Sequence, residues 1–461
     1  MRLLSFAIVA SVCFFAGVEA AAQTGKKPAP VQAVAGKKLD QWIDLIKSKD
    51  RAVSATALQV MLQFPPEDAV KAVPVILGEL KKHNPQGPYL DASFRSLAPH
   101  TLAVIQTSLK KPDDKQIEQI KQTITQLTNM VKDGQIVIRK RAIAALVLFG
   151  PNAHDAIDAL IAATSKADIP TCWETRHAAV TALGIIGVDM KNGPARKVLD
   201  ALYARIDPRD PRTIDSASPV RLATIEALAN VGATHRAELK AEFIDKTGKL
   251  IQKESDPHIE LTARCHLYDA TPPDTKDRKR RREIVAGFAA PTKELSLRLQ
   301  AIRCVGKMGK DAEDTLLKIS GYAFNDKEEM PVRVESLQCM GRMESNAVLH
   351  LPKVAGYAFN EKEEDALRIA SFQFMGAMGE AARPYLPKLI GIVEGKENVD
   401  ITGWAIWAVG AVAPDQQQWI APLEKIKATK DEPEVLKKMA QEAIDNIKGK
   451  HKKDTKKGGA K

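Results

Sequence analysis

The chain has 461 residues, a formal net charge of +11, and aromatic side chains at only 5% of positions. That length exceeds one ordinary compact core, and scarce aromatics beside abundant Ala, Leu, Ile and Val argue against a β-sandwich and for closely packed helices. The charge is concentrated in two places, Lys276 to Arg282 and residues 448–461, which together carry the whole +11. The remaining body is neutral, which argues against a surface that wraps nucleic acid along its length.

Residues 1–22 read as an export signal. Arg2 supplies the positive end, Leu3 to Gly17 is apolar, and Val18-Glu-Ala20 and Ala20-Ala-Ala22 offer small-residue cleavage sites. The apolar run is shorter than the roughly 20 residues a membrane helix needs, and no later stretch could span a bilayer. The mature chain is therefore expected outside the cytoplasm, periplasmic or extracellular. Residues 23–38 mix Pro, Gly, Ala and Lys with no apolar period and read as a flexible leader.

Helix is predicted from Leu39, with Trp42, Ile43 and Ile46 at helical spacing. Ala52 to Phe64 and Ala69 to Lys82 read as a first pair, the second helix tolerating Pro74 poorly. Residues 83–88 are a loop rich in breakers, and residues 89–133 read as a further pair with a turn at Lys110 to Lys115. The pattern then sharpens. Ile138-Arg139 with Ala145-Leu146 and Phe149-Gly150 returns as Thr175-Arg176 with Ala182-Leu183 and Ile186-Gly187, and again from Val220-Arg221. Ile259 to Tyr268 is a weaker copy with Glu260 in place of Arg.

The clearest copies follow. Lys318-Ile-Ser-Gly-Tyr-Ala-Phe-Asn-Asp-Lys-Glu-Glu329 returns 35 residues on as Lys353-Val-Ala-Gly-Tyr-Ala-Phe-Asn-Glu-Lys-Glu-Glu364, and Lys388-Leu-Ile-Gly391 lies another 35 on. Upstream stand Leu297-Arg298, Val332-Arg333 and Leu367-Arg368, and a last copy runs from Ile401 to Val412. A fixed period in this range is the mark of stacked units, none of which buries its apolar stripe alone. Two antiparallel helices of 12–14 residues with two turns fill such a period, giving about nine or ten pairs between Leu39 and Ile447. Gly306, Gly341, Gly376 and Gly410 recur at one register position, and close helix approach is the expected reason.

The Val-Arg…Ala…Ala-Leu…Gly helix, short turn and second apolar helix resemble the HEAT-repeat family, in the short bacterial variety first noted in phycobilisome lyases. The resemblance covers most of residues 39–447 and implies an all-α fold: an α/α superhelical solenoid, HEAT/armadillo-like, with residues 448–461 a Lys-rich disordered tail. It also implies that second helices line a concave face used for partners. These helices are expected from Ala312 to Phe324, Ala347 to Phe359 and Ala382 to Val393, with Leu316, Ile319 and Ala323 buried.

On another face fall Lys318, Tyr322 and Asn325, then Lys353, Tyr357 and Asn360, then Lys388. This ladder suits an acidic or polar protein or peptide; the competing reading is solvated lysines and tyrosines packed between repeats. Arg278, Lys279, Arg280, Arg281 and Arg282, in what reads as a loop, and the tail are candidate contacts for an anionic envelope polymer or membrane surface. Trp404 and Trp407 replace Ala370 and Gln373 of the previous unit. They are expected to seal the last repeat, with a sugar- or peptide-binding patch as the alternative.

The sequence carries no recognisable catalytic signature. None of the nine His is followed by Glu, no two His lie three to five apart, and there is no Gly-x-Ser-x-Gly, phosphate-cradling loop or Cys-x-x-Cys. The expectation is a monomeric, non-catalytic scaffold without cofactor or metal; a lyase-type enzyme is the alternative the resemblance brings. After the signal four cysteines remain. Cys304 and Cys339 are equivalent positions in helices about 8–10 Å apart, too far for a disulfide, so four buried, reduced thiols are expected.

Overall fold

The computed structural model describes residues 33–82, 92–165, 172–188, 195–232, 237–395 and 397–449. The proposed export signal and the Lys-rich tail from residue 450 lie outside these residues. The described chain is helical apart from β1 (Ala33–Val34) and β2 (Lys37–Lys38), a two-stranded antiparallel hairpin. It forms two compact units. The first holds residues up to 206 with 210–231, and the second holds residues 207–209 with those from 232 onward.

The first unit contains α1 (Leu39–Ile46), α2 (Arg51–Met61), α3 (Pro66–Ala69), α4 (Val73–Lys82), α5 (Ala92–Thr107), α6 (Asp114–Met130), α7 (Ile136–Phe149), α8 (Ile157–Ala163), α9 (Trp173–Ile186), α10 (Ala195–Ile206) and the body of α11 (Ser218–Gly232). Helices α2, α5, α7 and α9 stack in order, and α4, α6 and α8 each pack on the helix that follows them. The N-caps follow the chemistry of the caps: the Asp50 and Asp113 carboxylates accept backbone N–H bonds at the starts of α2 and α6.

The second unit contains α12 (Ala237–Leu250), α13 (Pro257–Ala270), α14 (Lys276–Gly287), α15 (Leu295–Met308), α16 (Leu316–Ala323), α17 (Met330–Arg342), α18 (Leu351–Ala358), α19 (Asp365–Met378), α20 (Leu386–Glu394), α21 (Val399–Val412), α22 (Ile420–Ala428) and α23 (Glu434–Ile447). Helices α15, α17, α19, α21 and α23 form one row, with α14, α16, α18, α20 and α22 each against the next member of it. One apolar core runs from Leu261 to Ile447 and includes Leu316, Ile319 and Ala323, as the repeat requires. Within the second unit α13/α14, α15/α16, α17/α18, α19/α20 and α21/α22 alternate as first and second helices, and α23 follows.

Three local expectations are corrected. The leader is ordered from Ala33: the hairpin sits on Trp42, whose indole donates to the Val34 carbonyl at 3.0 Å, with the Lys37 ammonium over its ring. Pro74 lies in the first turn of α4, where a missing N–H leaves no intrahelical bond unmade. The second helices of the 35-residue copies are not continuous. Gly309, Glu344 and Gly379 adopt positive φ of 53–60° and end the first helix. A 3₁₀ stretch follows each, at Gly309–Thr315, Glu344–His350 and Gly379–Tyr385, before eight or nine residues of α-helix.

The register glycines are explained at three of four positions. A Cβ on Gly410 would lie 2.7 Å from the Ala443 Cα, one on Gly306 3.2 Å from the Cys339 Cα, and one on Gly376 2.2 Å from the Trp407 ring. At Gly341 the nearest atom would be 3.5 Å away, an ordinary contact, so close approach does not account for that glycine.

Candidate partner-binding face

The lysine ladder keeps its register. Lys318 near the start of α16, Lys353 on α18 and Lys388 on α20 are all exposed, and each extends toward the C-terminal end of the preceding second helix. The Lys353 ammonium stands 4.4 Å from the centroid of the Phe324 ring and that of Lys388 5.6 Å from Phe359. One unit earlier the equivalent ring position is Ala289, and Lys318 donates instead to the Ala286 carbonyl at 3.0 Å. A cation over an aromatic face, or at the carbonyl end of a helix, is held without being neutralised.

The tyrosines and asparagines are used inside the stack. Tyr322 and Tyr357 are half-buried, with the guanidinium carbons of Arg298 and Arg333 at 5.6 and 5.4 Å from their ring centroids. Tyr357 also stacks on Phe324, and Tyr385 on Phe359. Burial and neighbouring acids push both Tyr322 and Tyr357 hydroxyls above the ordinary phenol value, the nearby arginines opposing this. Asn325 and Asn360 each accept a bond from the backbone N–H two residues on, at 3.1 Å, closing the turn between repeats. The face is thus a row of exposed lysines on an aromatic floor, and the tyrosines form part of that floor.

The basic stretch is a helix, which corrects the expected loop. Thr275 caps α14 by accepting from the Arg278 N–H, and the sequence signal was Thr275 itself, overshadowed by the charge run. Arg278 lies over the Tyr268 ring at 4.1 Å, donates to the Thr271 carbonyl at 2.6 Å and pairs with Asp311 at 3.1 Å. Arg282 pairs with Asp314. Arg281 is partly buried, and burial lowers its affinity for a proton below the ordinary guanidinium value. Only Lys279 and Arg280 of the five candidates are exposed. Two of the four guanidiniums are therefore committed to holding α14 on its neighbours.

The arginine that recurs in the first helices was visible in the sequence, but what it binds was not. Arg176 is 3% exposed and donates to both carboxylate oxygens of Asp215, which is 1% exposed, at 2.6 and 3.0 Å. The Asp215 carbonyl accepts in turn from Arg221 of the following repeat at 3.0 Å. Asp133 does the same between Arg95 and Arg139. In the second unit Arg298 holds Glu328 and Arg368 holds Glu397, each through both terminal nitrogens. Those arginines pull both glutamates below the ordinary carboxylate range, hydrogen bonding being the largest cause. The signal available was a charged residue at one fixed position of an otherwise apolar helix, which only a buried partner makes tolerable.

Trp404 and Trp407 do not seal the stack, because α23 covers α21. The two rings meet edge to face at 5.6 Å. With Gln338, Arg342, Gln373 and Phe374 they line an open groove of about 680 Å³ on the first-helix row. Gln338 donates to Gln373 at 2.9 Å along it.

His266 on α13 offers a pH probe of the second unit. Burial, with Lys307 adding to it, lowers its pKa to about 4. The unfolded chain takes up this proton near pH 6.5 and the folded chain does not until about pH 4. Stability is therefore complete above pH 6.5 and falls progressively from there to pH 4, by up to about 3 kcal/mol. Urea midpoints measured across this window should drop for the natural chain and stay flatter for His266→Leu.

Among the described residues no group of three or more His, Cys, Asp or Glu side chains is placed to hold a metal, and no helix is long and apolar enough to cross a membrane.

No protein-family model matches the sequence, and no curated protein matches it. The fold is nevertheless recognisable among solved structures. Yeast importin-β (Kap95p) matches with TM-score 0.53 and 12% identity over 89% of this chain and 56% of its own. Importin-β crystallised in a polyethylene glycol condition matches with TM-score 0.56 and 11% identity over 91% and 67%. Kap121p matches with TM-score 0.51 and 11% identity over 89% and 45%. This chain spans about half the length of Kap121p and Kap95p. At such identities the likeness is one of fold: an all-α solenoid of HEAT-type helix pairs. The phycobilisome-lyase variety within that class has no support from these matches.

Proposed function

We propose that the chain is an exported, non-catalytic scaffold that binds an acidic segment of a protein partner across α16, α18 and α20. The observation that carries this is the row of exposed lysines, Lys318, Lys353 and Lys388, repeated at equivalent positions on an aromatic floor. Equivalent helices in such stacks lie about 8–10 Å apart, and one three-residue turn of a polyproline-II chain rises about 9 Å. A carboxylate at every third position of a peptide in that conformation therefore meets successive lysines. The likeness in fold is consistent, since one of the similar structures is Kap121p bound to Ste12p. Export rests on the Arg2 and Leu3 to Gly17 pattern.

The probe is a fluorescent polyproline-II peptide carrying Glu at every third position. The Lys318→Glu/Lys353→Glu/Lys388→Glu variant should bind it roughly tenfold to a hundredfold more weakly, at about 0.5–1 kcal/mol per exposed charge. Equal affinity of the two proteins, or no binding by the natural chain, sinks the reading. A loss produced instead by neutralising Lys279 and Arg280 would favour contact with an anionic surface.

A further inference from the structure

The four cysteines are not alike. Cys172 and Cys339 are buried, whereas Cys265 on α13 and Cys304 on α15 are partly exposed; all four are free. The spacing argument against a disulfide between Cys304 and Cys339 does not reach Cys265. In the weaker copy Glu260 stands where α15 has Arg298, so Cys265 is one position out of register with Cys304. Thr262 and Gln300 meet across the two helices; Cys265 and Cys304 lie one turn beyond them on the same faces, both packed against the same core, and the two thiols influence each other's ionisation. Helix α13 is fixed against α15 beside them: Gln300 donates to Thr262 at 2.9 Å and meets the His258 ring at 2.8 Å.

We propose that Cys265 and Cys304 form a dithiol site that reacts with low-molecular-weight disulfides and closes to a disulfide between neighbouring repeats. The groups facing the pair are Lys307, Asp269 and, beside Cys265 in the chain, His266. The Cys265 thiol, acting as donor, and the Lys307 ammonium draw Cys304 below the ordinary thiol range, against burial and Asp269. The Cys304 bond and burial push Cys265 up. Cys304 is thus the attacking sulfur. Its thiolate attacks one sulfur of the reagent R–S–S–R, that S–S bond breaks, and RS⁻ leaves and takes a proton. Cys265 then loses its proton to solvent as its sulfur attacks Cys304 Sγ, and the second RS⁻ departs. Two protein thiols are oxidised by two electrons, and one reagent disulfide is reduced to two thiols.

The test is exposure of the full chain to oxidised glutathione, followed by peptide mapping without reduction. The expected product is a crosslink joining the Cys265 and Cys304 peptides, two hydrogens lighter than their sum. Cys265→Ser should accumulate a glutathione adduct on Cys304, formed at least about tenfold faster than any adduct on Cys339. Circular dichroism checks that the variant is folded, and the natural chain gives a decision by itself. Two separate adducts with no crosslink, or Cys339 modified as fast as Cys304, overturns the proposal.

Discussion

Asp215→Ala is expected to destabilise the first unit by about 3–5 kcal/mol, which is large against the total stability of an ordinary domain. Asp215 serves two repeats at once. Its carboxylate receives two bonds from the buried Arg176, and its carbonyl receives one from Arg221. Truncation leaves the Arg176 guanidinium in an apolar interior without its counter-charge, and the desolvation of that ion is then uncompensated. The two-residue change Arg176→Met/Asp215→Leu should be far milder, because it removes both charges and fills the space with apolar atoms. Urea unfolding followed by circular dichroism separates the cases: a large shift in midpoint for the single variant, a small one for the double. Equal shifts would mean that the pair matters through its packing alone.

The second large effect concerns the spacing of the last repeats. Gly410→Val should cost about 3 kcal/mol or more, since a side chain there starts 2.7 Å from the Ala443 Cα and meets backbone that cannot rotate away. Gly341→Ala, at the same register position two repeats earlier, should be neutral or stabilising by up to about 1 kcal/mol. Its Cβ meets nothing closer than 3.5 Å, and alanine is the better helix former. The melting temperature should therefore fall for Gly410→Val and hold or rise for Gly341→Ala. If both are destabilised alike, the glycine register reflects something other than interhelical distance.

The recurrence of glycine at one position was legible in the sequence, but its meaning was not uniform. Each glycine faces a different neighbour, namely a backbone at Gly410, an indole at Gly376 and almost nothing at Gly341. The lysines show the same limit. Their register followed from the period, yet whether each ammonium meets a ring or a carbonyl depended on Phe324, Phe359 or Ala289 in the preceding unit. The basic run was misread as a loop because helix α14 carries few apolar residues beyond Ile284, Val285 and Ala286. Its charges obscured a stripe that only Arg278 and Arg282, pairing across to Asp311 and Asp314, make stable.

The amino-acid order by itself determined the helical class, the repeat, the start near Leu39 and the stripe of Leu316, Ile319 and Ala323. Periodicity is a local property, and an apolar face at helical spacing has few ways to be buried. The tertiary structure alone decided which buried arginine grips which carboxylate, that Cys265 meets Cys304 diagonally, and that the tyrosines belong to the floor of the lysine face. Those pairings join residues some 30 to 40 positions apart, and the turn lengths that set one helix's rotation against the next leave no periodic trace in the chain.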